Sequence, residues 1–260
     1  MTSIIAVEVQ RALARRLVRV LVLFALLAIV FVVIIAFANA DPAEVDGFSP
    51  ADIWSSGFDD DSVLGASAFL FLLMAVLGGS SFIGAEYRAG TLTTLLTWEP
   101  RRPHVLAAKL LAAAVVTGVL FVVLESLLAS ALAPVVIVRG TGFEDAGSDF
   151  YRSLAGFLGR GALVAAGCAV LGASIAVIGR NTTAALGVVL GYIIIVEQIL
   201  RGLRPGWDAW FLGENLGIVL GGATIDDVAR SVPGSALVLL GYLVVVVAGA
   251  AVVFVRRDVT

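Results

Sequence analysis

Six apolar stretches dominate the sequence: about Leu17–Ala38, Ser62–Ile83, Val105–Val138, Ser153–Gly179, Thr183–Leu200 and Ser235–Val255. Crossing the hydrocarbon core of a bilayer takes roughly 20 predominantly apolar residues in helical form, and each stretch is of that order. Little polar sequence is left over. The chain is 60% hydrophobic and 14% charged, with a mean hydropathy of +1.05, whereas a soluble domain of 260 residues needs far more polar surface. The sequence therefore predicts an all-α membrane protein, a single transmembrane domain over 1–260 with six spanning helices.

The distribution of charge gives the orientation, although the net charge of −3 does not. Six spans put both termini on one side, and 11 of the 17 basic residues fall there, among them Arg11, Arg15, Arg16, Arg19, Arg101, Arg102 and Lys109. The opposite side takes 14 of the 20 acids. We refer to these sides as the basic end and the acidic end. The positive-inside rule places the basic end, with both termini and the polar elbow Gly84–Lys109, in the cytoplasm. The single cysteine, Cys168, excludes an internal disulfide and any Cys-rich metal site, and its Gly/Ala surroundings mark it as a small packing residue.

Several segments outside the spans carry pattern of their own. Residues 1–20 read as an interface helix, with Glu8, Arg11, Arg15 and Arg19 on one face and Val9, Leu13, Leu17 and Val20 on the other. The first span ends in Ala38-Asn39-Ala40, which mimics a signal-peptidase site, but the apolar run is longer than a signal core and predicts an uncleaved span. The loop 39–61 is acidic; Asp59, Asp60 and Asp61 read as solvated rather than as a cation site. Gly78 and Gly79 in the second span, the many Gly and Ala of the fourth, and Gly187 and Gly191 of the fifth predict close helix approach. Residues 84–100 predict a short elbow helix with Leu92, Leu95 and Leu96 on one face, stopped by Pro100 and Pro103. Residues 201–233 are too apolar for a loop yet repeatedly broken by Gly and Pro, and predict an outer re-entrant segment anchored by Trp207 and Trp210.

Catalysis finds no footing. The only lysine, Lys109, follows Leu106-Ala107-Ala108, so the chain holds no phosphate-binding loop of the GxxxxGK[ST] form. One His and one Cys, far apart, exclude zinc chemistry, and Ser174 has only His104, on another span's edge, as a candidate base. The ionisable residues within spans are Glu125, Glu197 and Arg160, and such residues are functional candidates by default. Glu197 stands four residues before Arg201, the spacing of an i,i+4 pair. Glu125 reads equally as an internally paired acid or a titrating one, and Arg160 is a possible partner for either acid.

The run Gly84-Ala85-Glu86-Tyr87-Arg88-Ala89-Gly90-Thr91-Leu92, followed by Leu95-Leu96-Thr97, Pro100-Arg101-Arg102 and Lys109-Leu110-Leu111, resembles the elbow of permease subunits of ABC type-2 exporters. The ending Arg256-Arg257-Asp258 is similar to that family too, and the likeness extends over the whole chain. The resemblance implies a transmembrane permease subunit in a bacterial-type plasma membrane, paired with a second permease chain and surrounded by lipid. A separate ATPase subunit would bind ATP and Mg. It implies export of a hydrophobic compound, lipid or peptide, no nucleic-acid partner and no cofactor on this chain. A coupling helix around Glu86–Glu99 would dock on the ATPase, with Glu86, Tyr87, Arg88, Gly90, Thr91, Leu92, Leu95 and Leu96 as coupling residues. The charges of Glu86 and Arg88 would brace either the amphipathic start of the chain or the partner. The alternatives are an ion- or proton-coupled carrier using Glu125 and Glu197, and a non-transporting membrane scaffold or immunity protein. Inverted repeats, expected of such carriers, are not evident.

Overall fold

A computed structural model describes residues 2–39, 49–53, 62–91, 101–140, 142–143, 146–204, 206–222 and 230–256. The elements are α1 (Thr2–Ala14), α2 (Arg16–Asn39), the short α3 (Pro50–Ile53), α4 (Val63–Ala89), α5 (Arg102–Arg139) and α6 (Ser148–Gly179). They are followed by α7 (Thr182–Gly191), a π-helical segment (Tyr192–Val196), α8 (Glu197–Leu203), a 3-10 turn (Asp208–Trp210), α9 (Leu212–Gly221) and α10 (Val232–Arg256). Among the described residues, six helices are long and apolar enough to cross a membrane: α2, α4, α5, α6, the continuous α7–α8 run, and α10. All six expected spans are there, with ends that differ by a few residues.

The boundaries outside the spans move, for identifiable reasons. The interface helix expected over 1–20 stops at Ala14, and the helix that begins at Arg16 is already the first span. Arg15 leaves the helical path because its guanidinium reaches α4, where it donates to the carbonyls of Ser81 and Phe82 and to Glu86. The elbow expected from Gly84 begins later, because α4 stays helical through Ala89 and ends at Gly90, in the left-handed region at φ 67°. A residue with a Cβ is strained in that conformation, which makes glycine the natural stop. Of the elbow helix itself, residues 92–100, with Leu92, Leu95 and Leu96, lie outside the described residues, as do Asp59, Asp60 and Asp61 of the acidic loop.

The core is built by α4, α5 and α6. About half or more of the most apolar stretch of each is buried within the chain, against 11% for α2 and α10 and 17% for α7–α8. Glycine allows the central contact. A Cβ on Gly79 of α4 would lie on the backbone of Ala169, and one on Gly172 of α6 would lie on the backbone of Val76. The small residues expected to permit close approach thus let α4 and α6 meet backbone against backbone. Two apolar clusters result. One, toward the acidic end, gathers Leu64, Phe71, Leu128, Phe157 and Leu220. The other, toward the basic end, gathers Phe82, Leu106, Ala173, Val177 and Phe254.

Candidate functional site

At the basic end the chain buries an ionic cluster. Lys109, about two turns into α5, is 1% exposed. Its ammonium donates to Glu8 of α1 at 3.1 Å and to Glu86 of α4 at 2.8 Å. Glu86 also accepts from Arg15 at 2.8 Å, and Arg15 lies 5.5 Å over the Phe82 ring. Arg11 reaches the outside of the cluster through Glu8 at 3.4 Å. Two cations and two carboxylates therefore neutralise one another with little water. Such a group is costly to assemble but far costlier to break, because removing one partner strands the others without compensation.

The cluster fastens α1, α4 and α5 together beside the elbow that joins α4 to α5. It also turns the sequence's amphipathic reading of α1 partly around. Glu8 points into the protein, while Val7 and Leu13 are exposed. Among the expected coupling residues, Glu86 is engaged inward. Tyr87 is half-buried with the Arg180 guanidinium 6.0 Å from its ring centre. Arg88, Gly90 and Thr91 are exposed beyond it. Glu8 as the partner of Lys109 and Arg15 as the partner of Glu86 escaped the sequence reading, since nothing in a lone chain pairs residues about 70 to 100 positions apart. The clue was the single lysine inside an otherwise Lys-free, Arg-rich protein.

The profile of the ABC-2 family transporter proteins matches residues 4–197, about three quarters of the chain. The chain belongs to the ABC-2 transporter family. It is a multi-pass membrane permease subunit, and permeases of this family work with an ATPase subunit. A search of curated proteins found no match. The ABC-2 match takes in the whole ionic cluster and stops at Glu197, so α9 and α10 lie beyond it.

The intramembrane charges of this ABC-2 permease lie toward the acidic end and have other partners than those expected. Glu197 does not pair with Arg201. It follows the π segment, where wider turns shift the register of the helix, and it is buried facing α9. There its carboxylate accepts from the N–H groups of Leu212 and Gly213. Arg201 pairs instead with Asp208 at 3.3 Å and with Glu214. Arg160 meets neither acid. Its guanidinium donates to the carbonyls of Leu220 and Gly221 at 3.3–3.4 Å. One carboxylate thus takes up the free N–H groups at the start of α9, and one guanidinium takes up the free carbonyls at its end. Both charges have the sign that the helix dipole favours. Glu125 is fully buried on α5 and accepts from the Ser67 hydroxyl of α4 at 3.1–3.2 Å.

Proposed function

We propose that this ABC-2 permease works in an ATP-driven exporter of a hydrophobic compound, lipid or peptide. Its basic end faces the cytoplasm of a bacterial-type plasma membrane. A separate ATPase, carrying ATP and Mg, docks on the elbow after Gly90. The reading rests most on the Glu8–Arg15–Glu86–Lys109 cluster. A push delivered to residues 91–101 acts on the ends of α4 and α5 where that cluster joins them to each other and to α1. The helices must then move as a unit rather than yield one at a time. Because Glu86 is engaged inward, docking falls to exposed Arg88 and Thr91 and to Leu92, Leu95 and Leu96.

A second permease chain completes the transporter in this reading. A Cβ on Gly187 or Gly191 of α7 would meet nothing within 4 Å among the described residues, and Ile194, Ile195 and Ile199 beyond them are exposed, so this face suits a second helix. The test is co-purification with the ATPase, combined with ATP-driven transport in proteoliposomes. Arg88→Glu should lose the ATPase while leaving the thermal midpoint of the permease unchanged. Undiminished co-purification of both Arg88→Glu and Gly90→Pro would sink the coupling role. In a Cys168→Ala background, Thr91→Cys should react with a membrane-impermeant thiol reagent in inverted vesicles and not in intact cells. The reverse pattern would overturn the orientation.

A further inference from the structure

A groove of about 450 Å³ runs between α6, α9 and α10, lined by Leu163, Gly167 and Leu171 of α6, Leu216 of α9, and Leu239 and Leu243 of α10, with Arg160 also on its wall. That volume is within the ~300–1,000 Å³ usual for small-molecule sites. We propose that the groove holds the acyl chain of an anionic lipid whose phosphate rests on the Arg160 guanidinium.

The charge argument comes first. Arg160 has no carboxylate within pairing distance among the described residues; its Nε and Nη2 donate to two carbonyls, and Nη1 has no acceptor there. Two carbonyl dipoles offset only part of a full positive charge in an apolar setting. An anion is the missing partner, and a guanidinium suits phosphate oxygens.

The shape argument selects a lipid over a free anion. Leu163, Gly167 and Leu171 follow Arg160 along one face of α6, roughly 16 Å of helix at 1.5 Å per residue. The apolar wall therefore extends from the charge toward the basic end, as a tail extends from its headgroup. Leu163 and Leu240 are exposed on the lining, so the groove opens to the surrounding hydrocarbon. Arg160 stands 12 residues from the start of α6 at the acidic end, about 18 Å along the helix, in the half of the span nearer the acidic end.

The proposal needs neither ATP nor a partner ATPase, so it stands or falls separately from the exporter reading. The experiment is native mass spectrometry of the purified full chain in detergent, offered phosphatidylglycerol or phosphatidylcholine with identical acyl chains. Phosphatidylglycerol should be retained about tenfold better, the difference made by one charge-assisted contact of roughly 1.4 kcal/mol. Arg160→Gln should remove that preference. Gly167→Leu, placed where a Cβ meets nothing within 4 Å, should fill the groove and lower retention of both lipids, and it decides the matter if Arg160→Gln does not fold. Excess inorganic phosphate should not displace the lipid. Equal retention of the two lipids, displacement by free phosphate, or unchanged retention in Gly167→Leu would each overturn the proposal. So would a chain dimer that Gly167→Leu dissociates without changing the lipid count, since the occupant would then be a second copy.

Discussion

The two ends of the bundle use buried charge in opposite ways. At the basic end, side chains neutralise side chains: Glu8, Arg15, Glu86 and Lys109 come from separate elements and hold one another. Toward the acidic end, side chains satisfy backbone: Glu197 and Arg160 take up the loose N–H and carbonyl groups at the two termini of α9. The first arrangement ties the short α1 to two helices long and apolar enough to span a membrane without it. The second keeps a short helix where its unpaired ends would otherwise be intolerable. The basic end thus ties separate elements to one another, and the acidic end holds one piece of irregular chain in place.

The sharpest way to break this contrast is Lys109→Met. It leaves buried Glu8 with only the exposed Arg11 and Glu86 with only Arg15, and the chain should lose about 3–5 kcal/mol. The measurement is the unfolding midpoint in detergent, compared with the double variant Lys109→Met/Glu86→Gln, which should recover part of the loss. A loss under about 1 kcal/mol would mean that the basic end is no more interlocked than a surface pair. Glu197→Ala comes next. It removes the acceptor for two N–H groups, a penalty of about 1–3 kcal/mol for buried donors left unmade. Because the cap serves one helix, the damage should stay local, as faster amide exchange over residues 212–221 with α4, α5 and α6 unaffected. Exchange that rises across the whole bundle would show that α9 belongs to the core, and the distinction between the ends would blur.

How much of this could be read in advance differs between spans and charges. The spans were legible because length and apolarity are local properties, and the close approach of α4 and α6 at Gly79 and Gly172 was foreshadowed by small residues on both helices. Glu86 and Lys109 were singled out by their place in one motif, yet their direct contact was not, since 22 residues separate them and the elbow between had to fold back first. Arg160 and Glu197 were marked as charges within spans, but their partners were backbone groups of α9, and no side-chain pattern announces those. The expected Glu197–Arg201 pair failed for a further reason. The π segment just before Glu197 changes the helical register, and Arg201 has Asp208 and Glu214 as nearer choices.

Gly90→Ala tests the joint between α4 and the elbow. The added Cβ would meet nothing within 4 Å, so its effect is that of the left-handed backbone at φ 67° alone. We expect a loss of about 1 kcal/mol in the unfolding midpoint. A stabilised variant would mean that the α4 terminus does not adopt that conformation in solution.

The smallest expected effect sharpens the comparison most finely, because it uses a charge pair that belongs to neither arrangement. Arg201 contacts Glu214 and Asp208, yet its side chain is 44% exposed. Water can replace each partner there, and holding a long side chain in place offsets much of the attraction, so Glu214→Gln should change stability by no more than about 0.5 kcal/mol. Added salt should erase even that, while the Lys109 cluster, shielded from solvent ions, should respond little. An unfolding series for the native chain and Glu214→Gln at low and high salt separates the cases. If Glu214→Gln proved as damaging as Glu197→Ala, the acidic end would be held by its exposed charges rather than by the buried caps on α9.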